Sequence, residues 1–157
     1  MCSSDLLSKV TYQEALQESV FALAPRGDNK FSYRFTELMS AGAIPVVHAD
    51  DWVWPFRPEL VDWDKCAVIL PEKDAGQFTI DILRNMTIDE RCRRRQYCWQ
   101  IYQNYMEAPV KIIDGLVQGL ERVHLRQQAG LQPLPLGGVR CDAFTEDPSE
   151  CNMMRRR

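Results

Sequence analysis

Arg26, Ser32, Arg34 and Glu37 fall within a short stretch of the chain, and their types and spacing are those of an anion site. Arginine binds phosphate through planar, often bidentate, charge-assisted hydrogen bonds, so Arg26 and Arg34 suit a diphosphate. Ser32 adds a hydroxyl where a helical pattern opens, and a helix start offers unpaired N–H groups with a partial positive charge. Glu37, one turn further on, can accept hydrogen bonds from the two hydroxyls of a ribose, a role that carboxylates fill in dinucleotide folds. The same residues also fit a plainer arrangement, a surface i,i+3 pair of Arg34 with Glu37 worth under about 0.5 kcal/mol. The loop before the helix holds one glycine, Gly27, so it is neither a Walker loop nor a G-x-G-x-x-G turn.

The elements that must position these side chains are legible on either side of them. Val20-Phe21-Ala22-Leu23-Ala24 is an apolar run of strand length that stops at Pro25, and a polar loop follows to Lys30. A helical pattern opens at Ser32 as N-cap, carries Phe35, Leu38 and Met39 on one face, and closes at Gly42. A second apolar run, Ile44-Pro45-Val46-Val47, completes a βαβ unit of a parallel sheet. Pro45 is tolerable there at a strand start or an edge. Ligands of such sheets sit beyond the carboxyl ends of the strands, which is where Arg26 and Gly27 lie. His48, Asp50 and Asp51 close the second strand and are weaker candidates for the same ligand. The competing readings are a local hydrogen bond for His48 and a solvated loop for the two aspartates.

The remaining segments read as support. Thr11 and Glu14 form a capping box at the start of a short helix. Cys66 to Leu70 reads as a third strand ended by Pro71, with Cys66 a small core residue, and Phe78, Ile82 and Leu83 suggest a helix packed on the sheet. Thr87 and Glu90 form a second capping box, opening a helix that continues to about Met106. Pro109 suits the first position of a last helix holding Ile112, Ile113, Leu116, Leu120 and Val123, with Gly115 and Gly119 marking close packing. Residues 1–126 then form one α/β domain, and 127–157 a disordered tail. Trp52, Trp54, Phe56 and Trp63 are either core packing, the commoner use of aromatic side chains, or a sugar-stacking platform. The run Arg91-Cys92-Arg93-Arg94-Arg95 lies inside a helix, so its charges spread around the axis as a solvated face.

Composition narrows the classes. The 157 residues carry a net charge of −3, which argues against a general nucleic-acid binder. No apolar stretch approaches the roughly 18–20 residues of a membrane span, and the first residues lack a signal-peptide core. Six cysteines without a CxxC pair and two isolated histidines give no zinc pattern. A chain of this size does not need a disulfide framework, although a secretory compartment would permit disulfides.

Several ordered strings carry a family resemblance. Phe21-Ala22-Leu23-Ala24-Pro25-Arg26-Gly27 is followed by Phe31-Ser32-Tyr33-Arg34-Phe35-Thr36-Glu37 and then by Gly42-Ala43-Ile44-Pro45-Val46-Val47. Asp51-Trp52-Val53-Trp54-Pro55-Phe56 and Val61-Asp62-Trp63 come next. This series resembles exostosin, the family 47 glycosyltransferase domain of heparan sulfate polymerases and plant cell-wall transferases, over roughly residues 11 to 125. Trp54 stands where leucine is common, and the loop Asp28-Asn29-Lys30 has its own composition.

The resemblance implies the C-terminal half of a GT-B enzyme, a Rossmann-like parallel sheet flanked by helices that binds a nucleotide sugar, usually UDP-linked. Neither a metal nor another cofactor is expected for donor binding. Carried over by position, Arg26, Ser32 and Arg34 would hold the diphosphate and Glu37 the ribose. Family members invert the anomeric centre, with a general base acting on a hydroxyl of a glycan or glycoprotein acceptor. A complete GT-B enzyme exceeds this length, so the facing N-terminal half, the acceptor site and the general base are expected elsewhere. The resemblance also implies the Golgi or another secretory membrane. The alternatives are a non-catalytic nucleotide-binding or interaction module, and an unrelated Rossmann-like binder of another phosphorylated ligand.

Overall fold

The computed structural model describes residues 11–28 and 30–132. The expected tail lies mostly outside the described residues; the last helix runs to Gln128, past the boundary at residue 126. In chain order the elements are α1 (Tyr12–Glu18), β1 (Phe21–Pro25), α2 (Tyr33–Ser40), β2 (Ile44–His48), β3 (Val68–Leu70), α3 (Gln77–Asn85), α4 (Ile88–Ile101) and α5 (Pro109–Gln128). Short 3-10 turns at Trp63–Lys65 and Glu72–Asp74 flank β3, and a π-helical turn, Tyr102–Met106, extends α4. The strands form a parallel sheet in the order β1-β2-β3, with Pro25 opposite His48 and His48 opposite Leu70.

Alternation along β2 gives the sheet two covered faces. Val47 points into the larger core with Ala24, Phe35, Leu38, Met39, Trp63, Tyr97 and Ile101, under α2 and α4. Ile44 and Val46 point the other way with Val68, against Ile82, Leu83 and Met86 of α3 and its end. Phe78, expected on the sheet, is exposed, and Thr79 is the buried residue of α3. Pro45 is the second residue of the central strand, where the chain enters the sheet, and Pro25 ends an edge strand. Gly42 leaves α2 with φ 76°, the left-handed conformation expected of it.

The aromatic segment is core. Trp63 is fully buried and its Nε1 donates to the Pro55 carbonyl at 2.8 Å. Phe35 sits edge-on to Trp63 at 5.0 Å and to Trp54 at 5.8 Å, and Trp52 closes the group. Phe56 has φ 59° and lies on Tyr105, with Gly115 of α5 directly beneath both rings.

Three expectations need correction. Cys66 is buried in the core as expected, but the chain does use a disulfide: Cys66 is bonded to Cys98, which bolts the turn before β3 to α4. The second capping box is half made. Thr87 accepts from the Glu90 N–H at 3.2 Å, but the Glu90 carboxylate is taken by Arg93 and Arg94 at 2.8 and 2.7 Å. The hydrogen bond from Arg93, with Arg94 beside it, holds that carboxyl below its ordinary range. The arginine run is not a solvated face either. Arg94 donates to the carbonyls of Asp64 and Ala67, Arg95 to that of Gly42, and Arg91 to those of Leu83 and Arg84. Guanidinium forks satisfy carbonyls left over at element ends, and so tie α4 to both sheet-side layers.

Candidate functional site

Three parallel strands end side by side, and an open cleft of about 510 Å³ lies just beyond them. Each strand contributes to it in turn: Pro25 from the last position of β1 with Arg26, Gly27 and Asp28 after it, His48 from the last position of β2, and Glu72 and Ala75 after β3. This is where a parallel sheet places its ligand, because every strand-end loop opens there.

Charges knit the three loops together. Arg26 Nη1 pairs with Asp51 at 3.0 Å and with Glu72 at 3.6 Å, and Lys30 reaches Asp51 at 3.5 Å. Asp50 accepts from the Glu72 N–H at 3.4 Å. The loop after β1 is further held by the Val53 N–H donating to the Lys30 carbonyl at 2.8 Å. Arg26 and Asp51 are each about 40% exposed, so these pairs are exchangeable with solvent and with a ligand anion. A Cβ on Gly27 would meet nothing within 4 Å, so the residue keeps the cleft mouth open without being forced to be glycine by its neighbours.

His48 is oriented from behind. Thr79, buried on α3, donates its hydroxyl proton to the Asp74 carbonyl at 2.9 Å and lies 2.8 Å from His48 Nε2. A hydroxyl has one proton, so in this pair Nε2 is the donor and the Thr79 oxygen the acceptor. Strand ends point to His48, but sequence patterns carry no sign of Thr79, which comes from an element that begins 29 residues later (48 to 77).

The other predicted residues gather elsewhere. Ser32, Arg34 and Glu37 are not among the residues lining the cleft. Ser32 occupies the N-cap of α2 without a side-chain capping bond. Arg34 Nη1 donates to the Tyr12 hydroxyl at 2.8 Å, and that hydroxyl lies 3.3 Å from Glu37 Oε2. The guanidinium also sits over the Tyr12 ring, 5.2 Å from its centroid. Arg26 therefore stands at the strand-end cleft, and Arg34 with Glu37 forms a second polar station on α2, both reached from the same β1–α2 connection. No group of three or more side chains that could hold a metal ion gathers among the described residues.

A family model described as the exostosin GT47 domain matches residues 2–86, a span that ends one residue beyond α3. Among curated relatives, the exostosin-1 homolog of Caenorhabditis elegans is 33% identical over 116 residues, 73% of this chain and 30% of that protein. Exostosin-1 of Drosophila melanogaster is 34% identical over 102 residues, 65% of this chain and 13% of that protein. Exostosin-1 of Bos taurus is 33% identical over 133 residues, 83% of this chain and 18% of that protein. The matched part of the chain thus spans less than a third of each of these relatives.

Proposed function

Because this chain belongs to the exostosin GT47 family, we propose that it is the donor-binding half of a GT-B glycosyltransferase, built on a Rossmann-like sheet. The reaction is transfer of a sugar from a nucleotide sugar, UDP-linked, to a hydroxyl of a glycan or glycoprotein acceptor, with inversion at the anomeric carbon. The observation that carries this reading is the cleft at three parallel strand ends with Arg26 at its mouth. Arg26 meets the diphosphate there, and its cation offsets the negative charge that grows as UDP leaves. Arg34 and Ser32, at the start of α2, take the part of the diphosphate nearer the nucleoside, and Glu37 takes the ribose hydroxyls. His48, with Asp50 and Asp51, lies on the donor-sugar side. Nothing in this set calls for a metal or cofactor.

Two further features support the reading. The Cys66–Cys98 disulfide fits an oxidising compartment, in keeping with the Golgi or another secretory-pathway membrane. Val110, Ile113, Leu116 and Leu120 of α5 are each more than half exposed, an apolar face suited to a facing N-terminal half that brings the acceptor site and the general base. No helix of the described residues is long and apolar enough to cross a membrane.

Calorimetry of the full chain with UDP tests the proposal. Binding is expected in the native chain, and Arg26→Ala and Arg34→Ala should each weaken it about tenfold or more, as for lost bonds to charged groups. An absence of heat from the native chain would remove the donor reading. Turnover of a UDP-sugar should be slight until a facing half is supplied.

A further inference from the structure

Resting on the donor-site reading and deepening it, we infer that Tyr12 is a positioning residue for Arg34 and Glu37. Its phenol holds the guanidinium and the carboxylate apart on α2, so that both remain available to a nucleoside diphosphate. Opposite charges three residues apart on a helix are surface neighbours and readily pair. Here they do not. Among the described residues, no ion pair within 4.0 Å joins Arg34 to Glu37; the Tyr12 oxygen stands between them, 2.8 Å from Arg34 Nη1 and 3.3 Å from Glu37 Oε2.

The direction of this relay is fixed by proton count. A guanidinium only donates, an ionised carboxylate only accepts, and a phenol does each once or more. Arg34 therefore donates to the phenol oxygen, and the phenol donates its proton to Glu37. The phenol uses one of five guanidinium donors and one carboxylate oxygen, leaving the rest for ligand. A direct fork-to-fork pair would use two donors and both oxygens, and would cancel the charge that a diphosphate needs.

Tyr12 is in turn held by its own element. It is the first residue of α1, and Thr11 closes that turn as a complete capping box with Glu14. The Thr11 N–H donates to the Glu14 carboxylate at 2.8 Å, which with the Thr11 hydroxyl holds that carboxyl below its ordinary range. Tyr12 is 49% exposed, so its removal opens no buried cavity, and what it contributes is the polar bridge with the ring under the Arg34 guanidinium.

Tyr12→Phe and Tyr12→Ala in the full chain test this, using UDP and 2′-deoxy-UDP as calorimetric probes together with a crystal structure of Tyr12→Ala. Thermal midpoints should stay near the native value. Tyr12→Phe should weaken UDP about threefold to tenfold, the scale of one hydrogen bond, and shrink the preference for UDP over the deoxy form as Glu37 loses its orientation. In Tyr12→Ala, Arg34 and Glu37 should close to a direct pair. Native UDP affinity and ribose preference in Tyr12→Phe would overturn the inference, and so would Arg34 and Glu37 still standing apart in Tyr12→Ala. A native chain that binds no UDP would overturn the donor reading and the ligand part of this inference, while the charge separation in Tyr12→Ala judges the spacer by itself.

Discussion

Asp51 stands between two cations, Arg26 at 3.0 Å and Lys30 at 3.5 Å, while Glu72 approaches the same Arg26 nitrogen at 3.6 Å. These carboxylates occupy donors that a diphosphate would use. Exposed pairs of this kind contribute under about 1 kcal/mol to stability, so replacing one should barely move the fold. Asp51→Asn removes the competing charge and keeps the side-chain shape. Affinity for inorganic pyrophosphate at low salt should rise about twofold to fivefold, and the gain should fade as salt screens the site. Titration at two ionic strengths reads both effects; a fall in affinity would mean that Asp51 aims Arg26 rather than competing for it. The strand-end rule located Arg26 and His48 from sequence, because the rule depends on chain order and the ends of apolar runs. The distant partners of His48 and Glu37 were not legible. Thr79 on α3 and Tyr12 on α1 reach His48 and Glu37 across 31 and 25 residues, contacts that no local spacing encodes.

Two glycines of α5 look alike in sequence and differ in what faces them. A Cβ on Gly115 would stand 2.9 Å from Phe56 and 3.0 Å from Tyr105, rings already in contact with each other. The nearest atom to a Cβ on Gly119 is a Leu60 methyl at 3.8 Å, ordinary van der Waals contact. Gly115→Ala must push the rings apart and should destabilise the chain by about 1–3 kcal/mol. Gly119→Ala should stabilise it by up to about 1 kcal/mol through helix propensity. Urea denaturation of the two variants side by side separates them by sign. The same limit on legibility appears in the caps. Thr11 and Glu14 close a full box because no arginine competes for Glu14 among the described residues, whereas the Glu90 carboxylate turns to Arg93 and Arg94 and leaves its own cap half made. Short-range patterns thus marked β1, α2, β2 and the starts of α1 and α4, and failed where a tertiary or charged partner outbid the local one.

At the scale of the molecule, the Cys66–Cys98 bond went unread because cysteines 32 residues apart carry no spacing signature. Cys66 and Cys98 are fully buried, one in the turn before β3 and the other on α4, so their bond joins the two layers beneath Trp63 and Tyr97. Closing a loop of that length in the unfolded chain removes entropy equivalent to about 3–4 kcal/mol. That is a large share of the roughly 5–15 kcal/mol that holds a typical domain together. A Cys66→Ala/Cys98→Ala chain should therefore lose about that much in urea under oxidising conditions, with a further loss from the two small cavities. Each single variant should lose the same contribution from the bond, because either one breaks it, and less than the double by one cavity. If the double variant instead matches the native chain, the anchoring of α4 rests on Arg94 and Arg95 at their carbonyls, and the fold does not require an oxidising compartment.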